Sequence, residues 1–404
     1  MRTNEPLNSR DQHRIPATLM EILAVSLRLG VTSFGGPIAH LGYFHKEYVH
    51  RRKWLDDQTY ASLVALCQFL PGPASSQVGI SIGVIRGGLI GGLLAWIGFT
   101  LPSILVMVLF ASLLQGFDVG NEGWVHGLKI VAVAIVAQAI LSMRQKLIPD
   151  RSRAAVAIIA ASLTLIWQTM FTQVLIIIVA GLFGLWMYRT TTTTPVSSHL
   201  YVSISRTFAI ACLVIFLGLL VMLPLLGQLL DNSWLVLFDS FYRSGSLVFG
   251  GGHVVLPLLE RELVPTGWIS QADFLAGYGA AQAVPGPLFT FAAYLGAMTK
   301  GVIGAIVATI AIFLPAFLLV IGVLPFWNNV RRSPQVQGAL LGINAAVVGL
   351  LLAALYNPLW TSAIVAPTDM ALVIILFMML VIGKLPPWIV VIAGTIGGVI
   401  MAWI

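Results

Sequence analysis

The sequence predicts an all-α integral membrane protein made of two homologous halves in inverted topology, each with re-entrant or broken helices. Three observations carry that expectation: a strongly apolar composition, a motif set that occurs twice in register, and loop charges whose sign reverses between the repeats. Hydrophobic residues make up 58% of the 404 and charged residues only 9%, with a mean hydropathy of +0.94, so most of the chain cannot be a water-facing surface. Apolar runs at 88–113, 124–142, 207–230, 302–324, 338–355 and 386–404 are each near the roughly 20 residues a spanning helix needs. Helices fit and barrel strands do not, because lipid offers backbone groups no partner and the runs are too long for strands. The first residues are polar, and Glu21 and Arg28 interrupt the first apolar stretch. No cleavable secretory signal is therefore expected, and the N-terminus is placed on the cytoplasmic side of an inner (plasma) membrane.

The internal repeat is the most informative feature. Arg28-Leu29-Gly30, Phe34-Gly35-Gly36, Glu47, Val49, Trp54, Gln68 and Pro71-Gly72-Pro73 return in the same order as Arg243-Ser244-Gly245, Phe249-Gly250-Gly251, Glu262, Val264, Trp268, Gln282 and Pro285-Gly286-Pro287. One single-residue gap between the Val and the Trp keeps them in register, and a later proline follows in each half, Pro102 and Pro315. The expected organisation is an N-terminal half at 1–187, a threonine-rich linker at 188–206 and a C-terminal half at 207–404.

Loop charge orients the halves. Lys46, Arg51, Arg52 and Lys53 precede Trp54, whereas Glu260, Arg261 and Glu262 precede Trp268. Asp118 and Glu122 lie in an acidic loop whose counterpart holds Arg331 and Arg332, and Arg144, Lys146, Arg151 and Arg153 have no basic equivalent in 356–369. The positive-inside rule then has the halves crossing in opposite senses, the arrangement of secondary transporters that bind substrate between discontinuous helices near the midplane. To keep the N-terminus and Arg51 on one side, 18–44 must enter and return with a turn at Phe34-Gly35-Gly36-Pro37. The stretch 59–86 is too short for two spans and breaks at Pro71-Gly72-Pro73. Each half is expected to hold two re-entrant hairpins and two full spans; kinked full spans at the same sites are the alternative.

A helix restarting after such a break directs unpaired N–H groups and its positive dipole end into it, and an anion is the natural guest. Gly35, Gly36, Gly250, Gly251 and Gly252 would allow close approach, although Gly and Pro also serve plain packing in membranes. Arg28 with Arg243 and Arg86 with Lys300 are cations kept at matching positions although the loops around them reverse sign, so they are candidates to attract the anion. An ion pair of Arg28 or Arg243 with Glu21 or Asp239, or snorkelling, is the alternative for the first pair. His40 and His253 could donate to an oxyanion, and Gln68 and Gln282 could line the path. Glu21, Asp239, Glu47 and Glu262 join the histidines as candidates for proton coupling, with Glu47 and Glu262 also placed to pair with Lys46 and Arg261.

Other classes fit less well. The net charge of +7 lies in short loops that topology explains, so no nucleic-acid partner is expected. Cys67 and Cys212 read as packing. Histidines and cysteines are not at ligand spacings, so no metal or other cofactor is expected. A membrane enzyme should offer a clustered nucleophile and base, and none is seen.

The segments SFGGPIAHLGYF and LPGPASSQ, with VFGGGHVVLPLL and VPGPLF in the second half, resemble the signature of the chromate ion transporter family, in its two-domain form, over nearly the whole chain. The resemblance implies gradient-driven export of chromate from the cytoplasm, with sulfate as the structural analogue. It places signature positions at Phe34 to Pro37, Pro71 to Pro73, Phe249 to His253 and Pro285 to Pro287. Gly252 stands where the first half has Pro37, so the halves need not contribute equally. The expected mechanism has a tetrahedral dianion held by backbone N–H groups at the breaks, with Arg28 and Arg243 supplying charge. No Walker-type loop is present, so energy would come from an ion gradient or another subunit. A homodimer is left open.

Overall fold

A computed structural model describes residues 9–116, 122–167, 169–188, 204–330 and 333–403. The core of the linker, Asp118 and the Arg331–Arg332 pair lie outside these residues. Every element among the described residues is a helix. The stretches Ala74–Gln115, Gly123–Leu147, Arg206–Gly227, Leu288–Phe326 and Pro334–Ala363 are long and apolar enough to cross a bilayer, and the chain is a multi-pass membrane protein.

The first half opens with two helical hairpins. Helix α1 (Ser9–Thr32) ends before Gly35, whose φ of 98° suits a residue without a Cβ. Helix α2 (Gly36–Phe44) starts with Pro37 in its first turn, where a missing N–H costs nothing. It then widens into one π-helical turn, His45–Arg51. The two arms fold back on each other: Ser26 Oγ lies 3.5 Å from the Tyr48 hydroxyl. Helix α3 (Asp57–Phe69) is capped by the Asp56 carboxylate, which accepts from the Thr59 N–H. Pro71-Gly72-Pro73 stops it, and α4 (Ala74–Gly116) begins beyond. Cys67 Sγ is 3.7 Å from Ser81 Oγ, whereas continuous helix would separate residues fourteen apart by about 21 Å. These arms too are a V, not a rod.

Helix α4 is itself folded. Gly87 and Gly88 leave helical geometry, and a Cβ on Gly83 would strike the carbonyl oxygen of Gly91. The arm 74–86 therefore lies against the start of the long arm 89–116. Then follow α5 (Gly123–Leu147) and the short pair α6 (Arg151–Ile166) and α7 (Met170–Met187), tied at one end by Ser152 Oγ and the Tyr188 hydroxyl at 2.8 Å.

The second half repeats this plan after one unmatched helix, α8 (Arg206–Leu230). Helices α9 (Ser233–Leu247) and α10 (Val255–Leu263) form its first hairpin. Helices α11 (Gln271–Ala281) and α12 (Phe291–Val323) form the second. The Tyr294 hydroxyl donates to the Asp273 carbonyl at 2.8 Å across it. Helix α12 breaks at Lys300 and Gly301, whose backbone angles match those of Gly87 and Gly88, with Gly296 pressed on Gly304 as Gly83 is on Gly91; Lys300 thus stands one position beyond the counterpart of Arg86, a correction to the expected alignment. The single turns α13 (Trp327–Val330) and α15 (Thr361–Ala363) flank α14 (Pro334–Ala354), and α16 (Pro367–Val381) with α17 (Pro387–Met401) mirror α6 and α7. The expectation of two hairpins and two spans per half thus falls short by these last helix pairs, which at 16, 18, 15 and 15 residues lie at or below the lower end of the spanning range.

The halves are interleaved. Helix α5 packs on α16 and α17, and α14 packs on α6 and α7. Glycines make both seams: Gly127 abuts the backbone of Gly394, and Gly338 abuts that of Gly184. The long arms of α4 and α12 pack together in opposite directions. Gln115 donates to the Met298 carbonyl at 3.0 Å at one end, and Trp96 meets Phe313 and Phe317 at ring separations of 5.6 Å toward the other.

Candidate functional site

The four helix breaks meet at one place. The Gly72 N–H donates to the Val248 carbonyl at 2.7 Å, and the Gly286 N–H donates to the Ser33 carbonyl at 2.9 Å. Ser33 and Val248 precede Phe34 and Phe249, so each Pro-Gly-Pro turn is docked on the other half's Phe-Gly-Gly turn. Both glycines need the left-handed region, with φ of 118° at Gly72 and 95° at Gly286. The long arms support the turns beside Pro102 and Pro315: Ser103 donates to the Pro285 carbonyl, and Ala316 lies 3.6 Å from a Cβ on Gly72. Pro37 and Gly252 face each other, with Pro37 Cγ 3.8 Å from a Cβ on Gly252, so a local twofold axis passes between equivalent positions.

This geometry revises parts of the expected site. The Gly72 and Gly286 N–H groups are spent on the interlock in this conformation. Pro71, Pro73, Pro285 and Pro287 hold the turns. Phe34 packs on Trp388 at 6.3 Å, Phe249 joins the apolar core, and Gly35 and Gly250 are exposed at the turn tips. Gly36 (φ 78°) and Gly251 (φ 142°) have room around them. Gln68 is exposed near the end of α3, whereas Gln282 carries a buried Nε2 without a partner among the described residues. His253 Nδ1 is engaged with the Tyr278 hydroxyl at 2.8 Å.

The repeated cations are matched with repeated partners. Arg28 lies 3.8 Å from Glu47, and Arg243 lies 3.1 Å from Glu262 and 2.7 Å from Asp239. The same Arg–Glu pair therefore staples the first hairpin of both halves, and the pairing of the glutamates with Lys46 and Arg261 is not what the fold shows. Arg86 sits over Trp54 at 4.9 Å and Lys300 over Trp268 at 5.9 Å, a repeated cation–π contact. Arg28 and Arg243 also differ: the first side chain is 55% exposed, the second 16%. Glu47 is shared by Arg28, Arg51 and Arg52, so that face is electropositive. Asp239, Glu260 and Glu262 share Arg243 and Arg261, so the equivalent face of the second half is acidic.

Of the polar groups beside the first-half breaks, the sequence marked His40 but not Ser33, Ser76 or Gln77. Ser33 Oγ, His40 Nε2, Ser76 Oγ and Gln77 Oε1 are buried beside the first-half breaks with no hydrogen-bond partner among the described residues. Each such atom costs about 1–3 kcal/mol when left unsatisfied. Their signal was already in the strings around Pro37 and Pro73, where Ser and Gln interrupt apolar residues. Away from the breaks, His45, His50 and Asp57 bring ligand atoms within 4.8 Å of one another, which corrects the expectation that no histidines cluster. The π turn does this by stacking residues five apart, as sequence spacing for an α-helix would not.

The chromate transporter family profile matches residues 20–185 and 235–399. The chain belongs to the chromate transporter family. It is a family of transporters, not enzymes. The chain is 29% identical over 344 residues to a chromate transport protein of Pseudomonas aeruginosa, covering 83% of this chain and 80% of that one. It is 27% identical over 395 residues to one of Cupriavidus metallidurans, covering 95% and 94%. An uncharacterized transporter of Methanocaldococcus jannaschii is 26% identical over 352 residues, covering 86% of each. No solved structure matches the chain. Within this family member, the two profile segments start midway along α1 and just inside α9, and α8 falls between them.

Because Arg243 is enclosed and holds two carboxylates, Arg243→Gln is expected to lower folded yield strongly, since a stranded buried charge costs about 3–5 kcal/mol. Arg28→Gln should be far milder, as Glu47 keeps Arg51 and Arg52. The double variant Arg243→Gln/Glu262→Gln should recover part of the loss. Detergent-solubilised yield and thermal midpoint by size-exclusion chromatography check this; equal losses for the two arginines would contradict it.

Proposed function

We propose that this protein is a secondary active transporter that exports chromate from the cytoplasm across the inner (plasma) membrane, driven by the electrochemical gradient. The observation that carries the proposal is the meeting of four discontinuous helices, two from each half, in a chain alike over almost its full length to chromate transport proteins. Sulfate or another small inorganic anion is the alternative substrate, and the uncharacterized transporter among the relatives keeps it in play.

The halves, 1–187 and 207–404, cross the bilayer in opposite senses. Three features support this. The equivalent long arms of α4 and α12 are antiparallel. The unmatched α8 adds one crossing between the repeats, which turns the second half over. The loop charges reverse as the positive-inside rule requires. In this arrangement the hairpins α1–α2 and α3–α4 are re-entrant from the cytoplasmic side, where the N-terminus lies. The hairpins α9–α10 and α11–α12 are re-entrant from the other, and the breaks meet near the midplane. Arg28, Arg51, Arg52 and Arg86 then form a cytoplasmic mouth that draws in a dianion. The acid-rich face of the second half repels it outward. Movement of one half's hairpins against the other's would open the interlock to alternate sides.

Inside-out vesicles containing the protein should accumulate radiolabelled chromate when a gradient is imposed, and sulfate should compete if the pocket reads only tetrahedral shape and charge. No uptake above empty vesicles would remove chromate as the substrate.

Cysteines at Lys53 and Thr266, in a background without Cys67 and Cys212, should react with an impermeant maleimide from opposite sides of the membrane. Labelling from one side would rule out the inversion.

A further inference from the structure

Two pseudo-symmetric breaks meet at the centre, but their chemistry differs residue by residue. Position 33 is Ser and its equivalent 248 is Val; position 40 is His and 255 is Val. Beyond the Pro-Gly-Pro turns, Ala74-Ser75-Ser76-Gln77 open α4, whereas Leu288-Phe289-Thr290-Phe291 lead into α12 through a 3-10 turn, one residue shorter to the next shared glycine, Gly83 or Gly296. In the second half these side chains are settled: Phe289 and Phe291 are at most 1% exposed in the aromatic core, and the Thr290 hydroxyl donates to the Pro287 carbonyl at 2.8 Å. On that side Gln282 Nε2 is buried but lies beside the Tyr278 hydroxyl, which also holds His253. In the first half the side chains around the break are not settled. Ser33, His40, Ser76 and Gln77 are each at most 1% exposed, and each carries a polar atom without a partner among the described residues.

These groups converge. His40 Nδ1 lies 3.3 Å from Ser75 Oγ, joining the first hairpin to the second, and the ring also neighbours the Ser33 backbone. The Gln77 amide folds back over the turn, its Nε2 donating to the Pro71 carbonyl at 2.8 Å. Ser75, Ser76 and Gln77 lie in the first turn of α4, His40 reaches it through Ser75, and Ser33 borders His40; the arm 74–86 is long enough to present opening N–H groups and a positive dipole end. With Nδ1 turned to Ser75, the tautomer protonated at Nε2 offers a donor beside the two serine hydroxyls.

We infer that the oxyanion is bound in the first half alone, at the N-terminus of α4, by the Ser33 and Ser76 hydroxyls and His40 Nε2, while the second-half break is a packed, non-binding counterpart. This rests on the transporter reading and narrows it: one anion site off the twofold axis, in place of a shared symmetric one. The donors are neutral, so the site selects by hydrogen bonding, and Arg28 and its neighbours at the mouth supply the attraction. Gln77 Oε1, an acceptor, suits a protonated oxyanion or the water of a hydrated one. The asymmetry also gives the repeat a division of labour, with a binding hairpin pair moving against an aromatic one.

The test is equilibrium binding of radiolabelled chromate and of radiolabelled sulfate to the purified full-length protein in detergent. Ser76→Ala and His40→Gln should each weaken binding about ten-fold, the usual loss for a hydrogen bond to a charged group. The mirror variant Thr290→Ala should stay within about two-fold of the parent. Size-exclusion profile and thermal midpoint establish that each variant folds, and Ser76→Ala, a small deletion, keeps the test alive should His40→Gln not. Equal losses for Ser76→Ala and Thr290→Ala, or unchanged binding in both first-half variants, would overturn the location while leaving transport in place. A parent that binds neither anion would instead overturn the substrate reading itself.

Discussion

A broken helix inside a bilayer has peptide groups that water cannot reach, and the whole architecture follows from how those groups are satisfied. Here each break is answered by the opposite half: Gly72 donates to Val248 and Gly286 donates to Ser33. Neither half can complete its own turns. That requirement explains why the halves are interleaved, with α5 seated on α16 and α17 and α14 on α6 and α7, and why glycines line both seams. Two copies of one fold have become a single body whose weakest backbone points coincide at its centre.

The repeated residues are best understood as repeated contacts. Arg28 and Arg243 pair with Glu47 and Glu262 across their hairpins; Arg86 and Lys300 lie over Trp54 and Trp268. Gly30 and Gly245, next to those arginines, let α1 and α9 approach the backbone of α4 and α12. What is common to both halves therefore builds the scaffold. What differs between them, at Ser33, His40, Ser76 and Gln77, is where specificity for a guest can reside.

The sequence carried the membrane class, the duplication and the location of all four breaks, because Gly, Pro and apolar runs act locally and leave local traces. For the arginines it was legible in part. The Arg243–Asp239 pair, four residues apart on one helix, was among the alternatives, whereas the Glu47 and Glu262 partners lie nineteen residues away across a hairpin, a distance at which no helical periodicity applies. Helices α6, α7 and α16 left no run of span length, and the run at 386–404, read as near a full span, is the shorter α17, Pro387–Met401. The cluster of His45, His50 and Asp57 was missed because a π turn changes which residues share a face. The polar group at the first break was legible as Ser-Ser-Gln after Pro73, but attention to what the halves share hid it.

The Phe-Gly-Gly turns of both halves face each other across a twofold axis, and transport by this mechanism requires them to separate. Pro37→Cys and Gly252→Cys together, in a background without Cys67 and Cys212, test both parts at once, since Pro37 Cγ lies 3.8 Å from a Cβ on Gly252. With a protease site inserted in the linker, oxidation should hold the two fragments together on a non-reducing gel and stop chromate counterflow in proteoliposomes, and reduction should restore it. Fragments that separate under oxidising conditions, or a cross-linked protein that still exchanges chromate at the parent rate, would contradict the account.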